Sequence, residues 1–138
     1  MRNLGIRMES SETLLASDFA TLPALVKAFA NERPDAPAVA DPDGRISWRE
    51  LDALADRITA RLQADGVGLG DATAIAGLNS VMQVAVIIGT LRAGAIAGLI
   101  TNTATGGQMA AMIVDSGAKH LFLDEKAAES LAGQSYGD

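Results

Sequence analysis

The sequence has 138 residues, a length that corresponds to one domain or part of one. Hydrophobic residues make up 49% and charged residues 20%, so the chain can bury enough apolar surface to fold, which argues against global disorder. The net charge of −6 repels nucleic-acid phosphates, and no basic stripe with interleaved aromatic residues is present. These values predict a globular protein that does not bind nucleic acid.

Two reactive residue types are almost missing from the chain. The sequence contains no cysteine, which excludes disulfides, thiolate nucleophiles and cysteine-bound metals within it. His120 is the only histidine, so neither a histidine cluster for zinc nor a serine–histidine relay can be assembled. The lack of cysteine fits a reducing compartment, and we therefore expect a cytoplasmic protein.

No segment has the pattern of a secretory signal or a membrane span. Residues 1–18 scatter charges among short apolar pairs, without the uninterrupted apolar stretch of about 7 to 15 residues that a signal needs. We interpret residues 1–20 as an N-terminal arm. Residues 72–100 are the most apolar region, with Arg92 as their only charge, but polar residues and glycines divide them. This region therefore predicts buried core elements and no transmembrane segment.

The first elements are predicted from local spacing and turn residues. A helix is expected to begin after the cap residue Thr21 and to end near Arg33, because apolar residues recur at helical spacing between them. Two short extended runs, 38–41 and 45–48, enclose the turn sequence 42–44, which contains proline and glycine. This pattern predicts a small hairpin.

Three later helices are predicted from capping boxes, in which a Ser or Thr exchanges backbone hydrogen bonds with a Glu or Gln three residues on. The boxes are Ser47–Glu50, Ser80–Gln83 and Thr105–Gln108, and the helices they open end at Gly66, Gly94 and Gly117. Each glycine supplies a left-handed stop. The helix after Ser80 is apolar on nearly every side and is expected to be buried almost all round.

Short apolar strands are predicted at 72–76, 95–100 and 120–123, followed by a last helix from Asp124 through Leu131. Strands that alternate with helices favour right-handed crossovers and a helix-covered sheet. We therefore predict an α/β fold with a mainly parallel sheet, flanking helices and a small N-terminal hairpin. Residues 133–138 are expected to form a polar tail.

Two loops have the composition of a phosphate-binding loop, but other features favour a structural role for both. Residues 66–70 contain three glycines, yet they follow a helix and lead into a strand, the reverse of a dinucleotide-binding loop. Residues 101–107 follow a strand and open a helix, where backbone N–H groups can hold an anion. They contain no lysine to meet a phosphate, so we favour plain helix capping.

The remaining candidate side chains have ordinary structural interpretations. His120 is expected to be a surface or edge histidine. Aspartates 52, 56 and 65 are expected on the solvated face of a helix, and Met109 and Met112 in the core. From these residues we assign no catalytic, cofactor-binding or metal-binding position.

Between about Thr21 and Ala128, six short segments stand in a characteristic order and spacing: 34–41, 46–57, 66–71, 78–80, 91–95 and 115–119. Together they resemble the opening of acyl-CoA synthetases and other AMP-forming adenylating enzymes. The most telling is Ser47-Trp48-Arg49-Glu50-Leu51, where this family has Ser or Thr, an aromatic, a variable residue and then Glu-Leu.

The chain also departs from the family pattern. The family commonly has proline at the positions of Leu78 and Leu99 and asparagine at that of Thr101. Some relatives carry a basic residue, which helps to hold the CoA nucleotide, at the position of Thr103. A threonine cannot supply that charge, so the role is not transferred.

The resemblance implies a two-step reaction, in which ATP and a carboxylic acid give an acyl-adenylate and pyrophosphate, and a thiol, usually CoA, then takes the acyl group. It also implies that the lysine-bearing phosphate loop and the groups that hold magnesium lie in later segments. We therefore predict an N-terminal fragment of an acid:CoA ligase, inactive alone, in which residues 21–132 form an incomplete subdomain. ATP, magnesium and CoA are implied for the full-length parent.

A parallel sheet is normally covered on both faces, and we expect this chain to leave a face and an edge of its sheet open. The rest of the parent enzyme or self-association is expected to cover them. Two other interpretations stay open at this point. One is a free-standing α/β binding or interaction module without adenylating activity. The other is a small dinucleotide-dependent oxidoreductase, which the position of the glycines disfavours.

Overall fold

A computed structural model describes residues 8–137, and the elements follow the predicted order from Thr21 onward. The elements are α1 (Ser11–Ala16), α2 (Leu22–Glu32), β1 (Pro37–Asp41), β2 (Gly44–Ser47), α3 (Trp48–Ala64), β3 (Ala72–Ala76), α4 (Val81–Arg92), β4 (Ile96–Ile100), α5 (Gly106–Ser116), β5 (His120–Leu123) and α6 (Glu125–Leu131). Helix α1 was not expected within the arm; Ser10 caps it, and its buried residue is Leu14. Residues 1–7 of the predicted arm and Asp138 of the tail lie outside the described residues.

The strands form two separate sheets. Strands β3, β4 and β5 form a parallel sheet in the order β4-β3-β5, so the central strand is the first of the three in sequence. Strands β1 and β2 form an antiparallel hairpin around the predicted turn. The Asp41 carboxylate accepts the N–H groups of Asp43 and Gly44, each at 3.0 Å, and so closes that turn. The predicted α/β class, with a mainly parallel sheet and a hairpin, is confirmed.

Helices cover the parallel sheet on both faces, so the expectation that this chain leaves one face open is wrong. On one face, α5 and α6 pack their buried residues, Met109 and Leu131 among them, against Ala74, Ala76 and Ile100. The other face carries α3 and α4, where Leu62, Val67, Ala95 and Phe122 are in contact. A third cluster joins α2, α3 and α4 through Val26, Leu51, Ala55, Ala85 and Ile88. Met109 is buried and Met112 packs beside it, as predicted.

Helices α3 and α4 approach closely because small residues line their contact. A Cβ on Gly89 would lie 2.7 Å from Ile58 Cγ2, so only glycine allows this approach. The Thr59 hydroxyl donates to the carbonyl oxygens of Ala55 and Gly89, each at 2.9 Å. Helix α4 is not buried all round, however, because Met82 near its start and Leu91 near its end are exposed.

The predicted helix ends are confirmed with one exception. Complete capping boxes occur at Ser47–Glu50 and Thr105–Gln108, and Gly94 and Gly117 have φ values of +78° and +60°. The box at Ser80 is incomplete. Ser80 accepts the Gln83 backbone N–H, but the Gln83 side-chain amide donates to the Gly77 carbonyl oxygen at 3.4 Å and does not return to Ser80.

The described part of the chain contains no helix that is both long and apolar enough to span a membrane.

Candidate functional site

The carboxyl ends of the three parallel strands meet at one edge of the sheet, which is where open α/β sheets bind ligands. Three segments form this edge: residues 77–80 after β3, residues 101–105 after β4, and Asp124 after β5. We refer to these segments together as the carboxyl edge.

Asp124 ties two of these segments together. One carboxylate oxygen accepts the Leu78 N–H at 2.7 Å, and the other caps α6 by accepting the Ala127 N–H, also at 2.7 Å. Gly77 lies against this side chain so closely that a Cβ there would be 2.7 Å from Asp124 Cγ. The carboxylate is therefore committed to positioning the loop after β3. The sequence pattern predicted Asp124 only as the start of the last helix, because the contact of Asp124 with Leu78 spans 46 positions.

Asp41 positions the start of helix α4 in a similar way. Its second oxygen accepts the Val81 N–H at 2.8 Å, so the end of the hairpin is joined to the first residue of α4. The hydrogen bond from Val81 is the main cause that lowers the pKa of Asp41 below its ordinary value of 3.8, and the bonds from Asp43 and Gly44 add to it. The charged carboxylate is therefore favoured by the folded state.

We expect Asp41→Asn to destabilise the fold near neutral pH, because an amide N–H₂ cannot accept the bonds that one of the two carboxylate oxygens receives. A group whose pKa is lowered on folding contributes stability above its unfolded pKa and loses it as the pH falls through its folded pKa. Urea unfolding should therefore show a lower midpoint for the variant at about pH 7, and the difference should shrink as the pH falls below 3.8. Asp43→Asn is the matched control, since the Asp43 carboxylate accepts no hydrogen bond among the described residues. An equal loss in both variants, or a loss that persists in acid, would contradict this role.

An apolar pocket of about 210 Å³ opens beside the carboxyl edge, between the sheet and helices α3 and α4. Its wall includes Ile58, Ile75, Met82, Val86 and Phe122. The polar groups on its rim, Ser80, Gln83 and Asp124, already take part in the hydrogen bonds described above. The pocket can therefore accept an apolar group, and its rim holds no free acid, base or nucleophile. No local sequence pattern predicts this pocket, because its lining comes from four elements far apart in the chain.

The loop after β4 does not fit a nucleotide phosphate. Residues 101–105 include no Lys or Arg, and the Thr101 and Thr103 hydroxyls are hydrogen-bonded to each other at 2.9 Å. The first turn of α5 lies directly against α6, since a Cβ on Gly106 would collide with the Ser130 carbonyl oxygen. The predicted capping role is confirmed, and the glycine here serves helix packing.

The glycines between α3 and β3 end the helix and turn the chain, as predicted. Gly66 has a φ of +82°, and the Val67 N–H donates to the Leu62 carbonyl oxygen at 2.9 Å. The Gly70 N–H donates to the Gly94 carbonyl oxygen at 3.1 Å, which joins this loop to the segment before β4. These glycines lie at the amino ends of the strands, opposite the carboxyl edge.

The prediction that Asp52 lies on a solvated helix face is wrong. Its side chain is only 15% exposed and contacts Arg92 at 2.8 Å and Lys27 at 2.8 Å. Arg92 is 16% exposed, and it also donates to the Asp52 carbonyl oxygen and to Asp56. Asp52 therefore links α2, α3 and α4. It was assigned to solvent because the pattern of α3 alone does not reveal that two helices flank this side of it.

The ion pairs among Lys27, Asp52, Asp56 and Arg92 form a network, and they shift the pKa values of Lys27 and Asp56. The hydrogen bond to Asp52 is the main cause that raises the pKa of Lys27. Burial opposes ionisation of Asp56, but the Arg92 and Lys27 contacts outweigh it and lower the pKa of Asp56. Asp56 is exposed, as predicted. The network connects helices α2, α3 and α4 and lies away from the carboxyl edge.

The other two charged candidates from the sequence, His120 and Asp65, lie at the opposite, amino edge of the sheet. His120 is half-buried at the start of β5; its Nδ1 lies 3.7 Å from the Asp65 carboxylate, and its ring packs on Phe122 with centroids 4.8 Å apart. Asp65 is exposed, as predicted, and pairs with Arg61 at 2.9 Å. Within residues 8–137, no three His, Cys, Asp or Glu side chains are grouped so that they could hold a metal ion. His120 is an edge histidine, as expected.

The sequence matches the family model of the AMP-binding enzymes over residues 26–136. The chain belongs to this family. It is 34% identical over 110 residues to surfactin synthase subunit 3 of Bacillus subtilis, a match that covers 80% of this chain and 9% of that protein. It is 39% identical over 67 residues to phenyloxazoline synthase MbtB of Mycobacterium tuberculosis, covering 49% of this chain and 5% of that one.

Solved structures agree with this assignment. The fatty acyl CoA synthetase of Mycobacterium tuberculosis superposes with a TM-score of 0.74 at 25% identity, covering 80% of this chain and 22% of that one. The N-terminal domain of FACL13 from the same organism superposes with a TM-score of 0.77 at 25% identity, covering 83% of this chain and 29% of that one. The chain thus spans less than a third of these two structures and less than a tenth of the two curated relatives. The predicted resemblance is confirmed. Membership of this family contradicts the two alternative interpretations of the sequence, a free-standing binding module without adenylating ancestry and a small dinucleotide-dependent oxidoreductase.

Proposed function

We propose that this chain is the N-terminal portion of an ATP-dependent enzyme that converts a carboxylic acid into an acyl-adenylate and transfers the acyl group to CoA. The observation that supports the proposal most is the match to the AMP-binding enzyme family over residues 26–136. In addition, the fold superposes on the N-terminal domain of FACL13. The superposition with a fatty acyl CoA synthetase supports a fatty acid as the substrate. The lack of cysteine supports the cytoplasm as its location.

The part of the enzyme described here acts as scaffold. The carboxyl edge lies beside the apolar pocket. Asp124 and Asp41 hold the loop after β3 and the start of α4 in place at this edge. Neither the loop after β4 nor the start of α5 fits a nucleotide phosphate, and the rim of the pocket has no free general base. ATP, magnesium and CoA are therefore assigned to segments of the full-length enzyme outside this chain.

The test compares the isolated chain with the longer polypeptide that its extended reading frame encodes. Each is incubated with ATP, magnesium, CoA and a panel of carboxylic acids, and pyrophosphate release is measured. We expect no release above background from the isolated chain and acid-dependent release from the longer polypeptide. Release by the isolated chain would contradict its inactivity, and a longer polypeptide that forms neither an adenylate nor a thioester would contradict the proposed activity.

A second candidate is the activation of an amino acid for peptide synthesis. It is favoured by the curated relatives, which include surfactin synthase subunit 3 and a nonribosomal peptide synthetase-like enzyme of Aspergillus fumigatus, 32% identical over 112 residues. The same assay separates the two, because the acid panel includes fatty, aromatic and amino acids. ATP–pyrophosphate exchange that depends on one amino acid, without formation of a CoA thioester, would favour peptide synthesis.

A further inference from the structure

We draw no further inference here: the strongest candidate, the apolar edge of strand β4 around the exposed Ile96 and Leu99, is a surface for which nothing in the part of the chain that the structure describes shows what covers it.

Discussion

Replacing Leu62 with alanine should lower the free energy of unfolding by about 2 to 5 kcal/mol. The Leu62 side chain is 0% exposed and lies between α3 and the sheet, in contact with Val67 and Ala95. Its removal takes apolar atoms out of a cluster that includes Phe122, and it leaves a cavity that surrounding elements, held by hydrogen bonds, can only partly fill. The loss should appear as a lower urea midpoint with an unchanged slope.

The matched control for this change is Leu69→Ala, seven residues further along the chain. Because Leu69 is 91% exposed, the same deletion there should change the free energy of unfolding by less than about 0.5 kcal/mol. Equal losses in the two variants would show that α3 does not pack on the sheet as described.

Replacing Gly106 with alanine should lower the free energy of unfolding by about 1 to 3 kcal/mol. A methyl group at this position would collide with the Ser130 carbonyl oxygen, a backbone atom that cannot move without shifting α6. The shift would disturb the contacts of Leu131 and Ala127 with the sheet, which close this end of the core. Thermal and urea unfolding should both report the loss.

Gly107 provides a neighbouring control of the opposite sign. A Cβ there would meet nothing closer than the Gln134 side-chain oxygen at 3.8 Å, an ordinary contact distance. Gly107→Ala should therefore be neutral or stabilise the chain by up to about 1 kcal/mol, because alanine loses less backbone freedom on entering a helix. If both variants stabilised the chain, α6 would not cover the first turn of α5.

Local signals in the sequence predicted the elements well because the interactions behind them span few residues. The capping bonds of Ser47 and Thr105 reach three positions along the chain, and the stops at Gly94 and Gly117 depend on a single backbone conformation. Helix α1 was missed because it is short. It docks on α2 through Leu14 and through Ser11, whose N–H donates to Glu32 at 2.7 Å over a separation of 21 residues. No local pattern contains that contact.

The candidate site was far less predictable than the fold. The roles of Asp124 and Asp41 at the carboxyl edge depend on hydrogen bonds across 46 and 40 positions. The apolar pocket exists because Ile58, Ile75 and Phe122 come from different elements that leave a gap between them. Asp52 is the clearest failure, since its helix shows a regular polar face and only the arrival of α2 and α4 removes that face from water.

The sequence by itself determined the α/β class and the order of elements from Thr21 onward, because caps, glycine stops and apolar runs act over a few residues. The family followed from the resemblance of its ordered motifs and from the family match over residues 26–136. The tertiary structure alone decided which carboxylates are buried, where the pocket opens and which strand lies at the free edge. Those properties depend on which elements become neighbours. Which helices and strands pack together depends on the burial of many side chains at once. No short stretch of the sequence contains that information.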